Sequence, residues 1–428
     1  MNTRSSVLVL GGQGFIGGFI VSTLWAAGWR VRVLARRPKP ALGLDPVRGD
    51  LTRMVAPEDW DAALDGVAVV VNAAGILREQ GRQTFEAIHL RAPLALAHAC
   101  AARGIRFVQV SALGDPADGG FIASKHDFDR TLLELMPDAV VLRPSVVYSH
   151  RGSYGGTALL RALEAVPGGQ LLPGDGHWSF QPIAAEDLAR IVVAACARPV
   201  AGIHELGCAE PISLRDYQDQ WRRWLGLPGE RAWRVPLPLV RTFVRLGDAL
   251  GRGPINRTIW RMLLRGNRCA PGAQREIEER FGVRVRALDE VLAAQPCQVQ
   301  DRREAQLYFL VPWLLWSVVA LWLASGLVGL FAEPVEIRQL AAGSALADLQ
   351  PVLLARTGAW LDLALGLGLA FLPRKRGVVA AMFALALAYL LILGIALPTA
   401  WLAPLGGLVK NIVLLPALAV LWVLVERR

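Results

Sequence analysis

The 428 residues predict an α/β protein: a doubly wound parallel sheet with a small cap region, followed by an all-α domain of four transmembrane helices. Three observations carry this expectation. A glycine-rich turn near the N-terminus joins a short apolar run to an apolar helical stretch, and apolar runs of strand length then alternate with helical ones. The third is charge: of 46 Lys+Arg and 36 Asp+Glu, only 8 basic and 5 acidic side chains fall in residues 305–428. The residues before 305 are charged like an ordinary globular domain, and those after it are not. The boundaries expected are 1–200 for the sheet domain, 201–304 for the cap and a basic membrane-facing region, and 305–428 for the membrane domain. This composition excludes disorder and a collagen-like chain.

Taken in order, the run 7–10 meets Gly11-Gly12-Gln13-Gly14-Phe15-Ile16-Gly17, an apolar helix follows to about residue 27, and a second strand runs 31–35. A strand, glycine turn and helix in succession set a pyrophosphate on a helix N-terminus. Gly11 permits the tight turn, Gly14 lets backbone approach phosphate, and Gly17 lets helix and strand pack closely; Phe15 and Ile16 open the helix within the same cofactor-contacting turn. The second strand ends in Arg36-Arg37, where an NAD-preferring site places an acid for the ribose hydroxyls. A guanidinium there suits the 2′-phosphate, so NADP(H) is expected over NAD(H); the other reading is two solvated surface arginines. Further strands at 67–72, 106–111 and 139–143 alternate with helical stretches. Ligands of such a sheet bind at the carboxyl ends of its strands, here residues 11–17, Arg36, Asp50, 72–75, Ser111 and Arg143-Pro144.

Residues 221–268 hold eleven arginines, two acids and no lysine, interleaved with Trp221, Trp224, Trp233, Phe243 and Trp260. Arginine with tryptophan at helical spacing suits the surface of an anionic leaflet, so this segment is expected to cap the nucleotide cleft and rest on the lipid bilayer. The competing reading is an internal fold role for the tryptophans. A domain tethered to membrane argues against nucleic acid as its partner. The five cysteines show no CxxC and the six histidines no ligand pair, so neither a disulfide framework nor a metal site is expected. The first apolar run is too short for a signal peptide, which puts the soluble part in the cytoplasm.

Four apolar stretches, 307–331, 352–372, 377–397 and 405–425, match the about 20 helical residues that cross a hydrocarbon core. Basic clusters at Arg302-Arg303, Arg374-Lys375-Arg376 and Arg427-Arg428 fall on one side, giving a multi-pass protein of the cytoplasmic membrane with both termini cytoplasmic. Asp362 and Lys410 sit inside the spans. They either bond to a neighbouring helix and snorkel outward, or line a polar or quinone pocket.

These residues resemble the short-chain dehydrogenase/reductases in their extended or atypical form. The resemblance rests on the glycine spacing, Gly49-Asp50-Leu51, Asn72-Ala73-Ala74-Gly75, Val110-Ser111-Ala112 and Leu142-Arg143-Pro144-Ser145-Val146-Val147-Tyr148. It covers residues 5 to about 300. It implies that Asp50 and Leu51 hold adenine, that the turn of Asn72, Ala73, Ala74 and Gly75 supports the cofactor, and that Pro144 and Val147 contact it. The family sets a Tyr four residues before a Lys, so that both lie on one helical face and the Tyr passes the proton. Here the stretch is Phe121-Ile122-Ala123-Ser124-Lys125. Lys125 keeps the ribose role and Ser111 the carbonyl oxygen, as catalytic residues, but phenylalanine carries no proton; Tyr148, Tyr154 and His126 are the nearby groups that could replace it. The Gly/Pro-rich loops 152–156 and 167–176 stand where family members close over substrate.

The departure at Phe121, with Phe180-Gln181-Pro182-Ile183 and Glu186-Asp187-Leu188-Ala189, is similar to atypical members related to the NADPH-holding accessory subunit of respiratory complex I. The tail resembles DoxX-like membrane domains. Together these imply a membrane-anchored NADP(H)-binding oxidoreductase acting on a lipophilic or quinone-type small molecule. The alternative is a catalytically silent NAD(P)H-binding sensor or assembly subunit with a membrane-complex partner, and a third reading makes the membrane domain the active part.

Overall fold

The computed structural model describes residues 5–38, 43–152, 154–198, 200–228, 231–249, 251, 256–402 and 407–425. The chain divides into two compact units, Met1–Gln306 and Leu307–Arg428.

The first unit is built on seven parallel strands: β1 (Ser6–Leu10), β2 (Arg30–Ala35), β3 (Leu44–Arg48), β4 (Val69–Asn72), β5 (Arg106–Val110), β6 (Val140–Pro144) and β7 (Gly202–Leu206). Their order is β7-β6-β5-β4-β1-β2-β3. Order reverses between β1 and β4, the switch point where such sheets hold ligands. The period-2 rule explains why β1 is apolar after Ser6: Val7 and Val9 enter one core and Leu8 and Leu10 the other, so no position faces water. One face is covered by α1 (Phe15–Ala26), α5 (Ala185–Ala197) and α9 (Ala273–Phe281), the other by α2 (Ala92–Arg103) and α3 (Gly120–Leu135). The expected strand at 67–72 starts two residues late, because Gly66 takes φ +65° and the Val67 N–H is spent on a turn to Leu64. Residues 202–206, expected in the cap, are instead the sheet's edge strand.

The N-terminus of α5 is fixed by a buried ion pair. Asp187, 0% exposed, accepts from the Arg286 guanidinium at 2.6 and 3.0 Å and from the Arg286 backbone N–H at 2.9 Å, while Arg190 reaches the same carboxylate at 2.7 Å. The Glu186-Asp187 motif thereby ties the sheet domain to a segment 99 residues onward.

The cap contains α4 (Gly155–Glu164), α6 (Leu214–Trp224), α7 (Leu237–Ala249), α8 (Arg257–Arg265) and α10 (Leu288–Ala293), with strand Gln170–Pro173 paired to Ala232–Val235. Its core includes Tyr148, Phe180, Tyr217, Trp221 and Trp260. Trp221 and Trp260 therefore serve the fold, and Trp224 donates its ring N–H to the Gln295 carbonyl at 2.8 Å. Only Trp233 and Phe243 of the five expected interface aromatics are largely exposed. Arg222 is also internal, donating to the carbonyls of Glu164 and Pro228.

In the second unit three helices are long and apolar enough to cross a membrane: α11 (Val299–Phe331), α12 (Pro351–Phe371) and α13 (Lys375–Ala396). The expected fourth span is shorter. Leu408–Val413 winds as a 3₁₀ turn carrying an exposed Lys410, and α14 (Leu414–Leu424) adds 11 α-helical residues. Residues 405–406 and Arg427-Arg428 lie outside the described residues. Asp362 on α12 accepts from the Ser325 hydroxyl at 2.8 Å and the Tyr389 hydroxyl at 3.4 Å, so it is bonded to both neighbouring helices. Gly358 makes room for that tyrosine, since a Cβ there would stand 2.8 Å from its hydroxyl. Arg356 is a third charge within the spans, overlooked in the sequence reading. Its guanidinium donates to the carbonyls of Gly329, Leu330 and Ala332, closing the C-terminal end of α11.

Candidate functional site

The site forms where β1, β4, β5 and β6 end. Gly11 stands at φ +71°, and the Gly14 N–H closes the turn on the Gly11 carbonyl at 2.8 Å. A Cβ at Gly17 would lie 2.1 Å from that carbonyl oxygen, so the helix rides on the turn only because residue 17 has no side chain. α1 has no side-chain cap and no acid in its first turn, leaving its first N–H groups directed at the space beyond the sheet. That is what a pyrophosphate requires. Arg36 and Arg37 follow β2 and are exposed; Asp50 is tied locally, accepting from the Thr52 N–H at 3.0 Å and hydroxyl at 2.9 Å, with half-buried Leu51 beside it.

Asn72 shapes the neighbouring turn. It donates to Gln109 at 2.8 Å and accepts from the Ala74 N–H at 3.2 Å, so Ala73 and Ala74 are held against Gly11 and Gly75 stands beside Lys125. Lys125 comes up beneath them from α3, donating to the carbonyls of Val110 at 2.9 Å and Ala74 at 3.4 Å. Burial lowers its pKa to about 8, against the raising effect of the nearby Asp129 carboxylate. Ser111 donates to Asp129 at 2.7 Å, and Arg143 reaches the same oxygen at 2.9 Å. Burial raises the Asp129 pKa.

His89 and Asp129 are the members of this cluster that sequence reasoning missed. Asp129 had a signal, one turn after Lys125 on the same face. His89 had none: it lies in a π-helical turn, Glu86–Arg91, and reaches the site only through the fold. Its Nε2 accepts from the Ile76 N–H at 3.0 Å, so the proton sits on Nδ1 and is donated to Ser124 at 2.8 Å. Burial and the Lys125 charge push its pKa down to about 3. It is a neutral strut.

A cavity of about 300 Å³ opens beside this cluster. Five of the residues expected at the site line it, Phe15, Ile16, Ser111, Pro144 and Val147, and so does Phe121. Opposite them α4 supplies Leu159, Leu160 and Leu163, α7 supplies Val240, and α8 supplies Ile259, Trp260 and Leu263. Gly11, Gly17, Arg36, Arg37, Asp50, Leu51 and Lys125 are not among its walls; they surround the adjoining nucleotide turn. Of the three groups weighed as substitutes for a tyrosine at 121, Tyr154 alone lines the cavity, with its ring stacked on Phe15 at 6.0 Å. Tyr148 is buried in the cap core, and His126 is spent on the Ala112 carbonyl at 3.0 Å. Asn267 adds a polar point. Its backbone carbonyl accepts from Ser145 and Gln181, and its Oδ1 from Arg265, yet its buried Nδ2 meets no acceptor.

Residues 7–207 match the NAD dependent epimerase/dehydratase family and residues 319–422 match the DoxX-like family. These two matches set the class of protein the chain is similar to: an epimerase/dehydratase-like dinucleotide domain followed by a DoxX-like domain. The chain is 30% identical over 213 residues to the ceramide reductase of Caulobacter vibrioides, an alignment covering 48% of this chain and 65% of that protein. In fold it is similar to the Bordetella bronchiseptica enzyme WbmH in complex with NAD+ (17% identity, TM-score 0.53, 71% of this chain and 100% of that one). The UDP-glucuronic acid 4-epimerase of Bacillus cereus in complex with NAD is likewise similar (17% identity, TM-score 0.51, 71% and 99%).

Proposed function

We propose that this chain is an NADP(H)-using oxidoreductase whose substrate is a carbonyl or alcohol on a long apolar body, anchored in the membrane by its DoxX-like unit. The observation that carries this reading is the cavity, whose walls are mostly hydrocarbon with Ser111 among its few polar groups. Such walls offer few partners to the many hydroxyls of a sugar and suit alkyl chains or a tailed quinone ring. The identity to a ceramide reductase supports a lipid of the ceramide type. The basic clusters at 302–303 and 374–376 support a nucleotide unit on the cytoplasmic side.

Reduced nicotinamide nucleotide supplies a hydride when bound. The chain's own residues do the rest. Lys125, charged below pH about 8, holds the ribose side of the site. Ser111, whose one proton goes to Asp129, accepts from the hydroxyl of the alcohol form of the substrate, and the unpaired Asn267 amide donates to an oxygen on the lipid head. Tyr154 takes the place of the tyrosine absent at 121. Its pKa is raised by burial, which keeps the phenol protonated and able to donate. Tyr154→Phe should lower lipid-extract-dependent NADPH oxidation by about 100-fold, the lower end for loss of a general acid. Unchanged turnover would remove Tyr154 from the mechanism.

The second reading, a silent nucleotide-binding subunit, rests on Phe121 facing the cavity one turn before Lys125. Phe121→Tyr separates the two: activity in that variant alone, with none in the parent, favours the silent subunit.

Arg36 bears on cofactor choice. Arg36→Glu should weaken NADPH binding about tenfold or more while sparing NADH, as loss of one charge-assisted contact implies. Equal affinity for NADPH in parent and variant, measured by calorimetry, would refute the NADP(H) preference.

A further inference from the structure

Helix α7 has two faces of unlike chemistry. Val240 and Val244 point inward, and Val240 is part of the cavity wall. Leu239, Phe243 and Leu246 point outward, 47, 56 and 52% exposed, and their spacing of four and three residues stacks them in one stripe. Arg241 and Arg245 flank the stripe one turn apart, both exposed. Trp233, 44% exposed, extends the apolar surface from strand Ala232–Val235, between exposed Arg231 and Arg234. On α8, whose inner side also walls the cavity, Leu264 and Arg261 are exposed. Together these elements expose five large apolar side chains and five arginines, a combination that water does not favour. A protein partner with an apolar face leaves the arginines unmatched. A lipid surface matches both, taking the stripe to the depth of the acyl boundary and the guanidinium groups to the phosphates.

We propose that α7, with α8 behind it, is a lid seated in an anionic lipid surface, so that the helix walling the substrate cavity on one side touches the bilayer on the other. A lipid then reaches Ser111 by displacing α7, without passing through water. The route rests on the oxidoreductase reading, whereas the seating of α7 does not.

The test uses the full chain in lipid nanodiscs. Phe243→Cys, in a Cys269→Ser, Cys297→Ser background, is labelled with an environment-sensitive nitrobenzoxadiazole dye; Glu58→Cys, at an exposed site in the sheet domain, is the control. In phosphatidylglycerol-containing discs the label at 243 should emit to the blue and be quenched several-fold by doxyl lipids, with less quenching in pure phosphatidylcholine. The label at 58 should stay aqueous in both. Adding Arg241→Glu and Arg245→Glu should restore access of iodide to the dye at 243 while NADPH binding, measured on the same samples, is unchanged. Equal iodide access in both lipids overturns the proposal. So does protection without doxyl quenching, which would make the patch a protein contact. Because no turnover is read, failure here and failure of the oxidoreductase reading remain distinct.

Discussion

Gly17→Val should abolish binding of both nicotinamide nucleotides, whereas Gly18→Ala, one residue on, should leave it intact. At Gly17 the added Cβ meets backbone: 2.1 Å from the Gly11 oxygen, 2.7 Å from its carbon and 2.8 Å from the Gly12 Cα. No side chain can swing aside to relieve this. Either α1 lifts from β1, or Gly11 leaves φ +71°, and both move the N–H groups at the start of α1. At Gly18 the nearest atom to an added Cβ is 4.0 Å away and the position is exposed, so alanine brings only helix propensity, about 1 kcal/mol in favour of folding. Calorimetric titration with NADPH and NADH reads the first effect and thermal melting the second. Retained affinity in Gly17→Val would place the nucleotide away from this turn.

The second large effect is on stability. Asp187→Ala should cost about 3–5 kcal/mol, the range for breaking a buried pair by removing one partner. The carboxylate accepts from two guanidinium groups and a backbone N–H, and none of its surface is open to water. Arg286 retains one-third exposure and recovers some solvation, which places the loss near the lower bound. The shortfall should appear as a melting temperature several degrees lower for the nucleotide unit, followed by its own tryptophan signal. Asp187→Asn, which keeps acceptor oxygen, should lose less. A change below about 1 kcal/mol would mean that the 283–287 segment is held by packing instead.

Why the sheet was legible in the sequence and the cap was not follows from the range of the contacts. β1, its glycine turn and α1 are specified by adjacent residues, so the spacing of Gly11, Gly14 and Gly17 reads directly. The parallel strands read as apolar runs because both faces are covered. The cavity is different: Ser145 meets Asn267 across 122 residues, and no local pattern announces that pairing. Trp221 and Trp260 look like interface residues by composition, yet the cap needs them as its own core because its helices are short and charged outside. The fourth apolar stretch met its length criterion, but Lys410-Asn411 fall in a 3₁₀ turn and its α-helix is cut to 11 residues. His89 was invisible because a histidine's role is set by the two groups its ring nitrogens meet.

Arg356 has a consequence for how the protein is made. Its acceptors all belong to the end of α11, and its own helix provides none of them. A solitary α12 entering lipid would carry a guanidinium with nothing to bond, and a solitary α11 would carry three open carbonyls. Each defect is the remedy for the other. Where both helices cross a bilayer, they gain most by entering it as a hairpin, paired before either meets lipid alone.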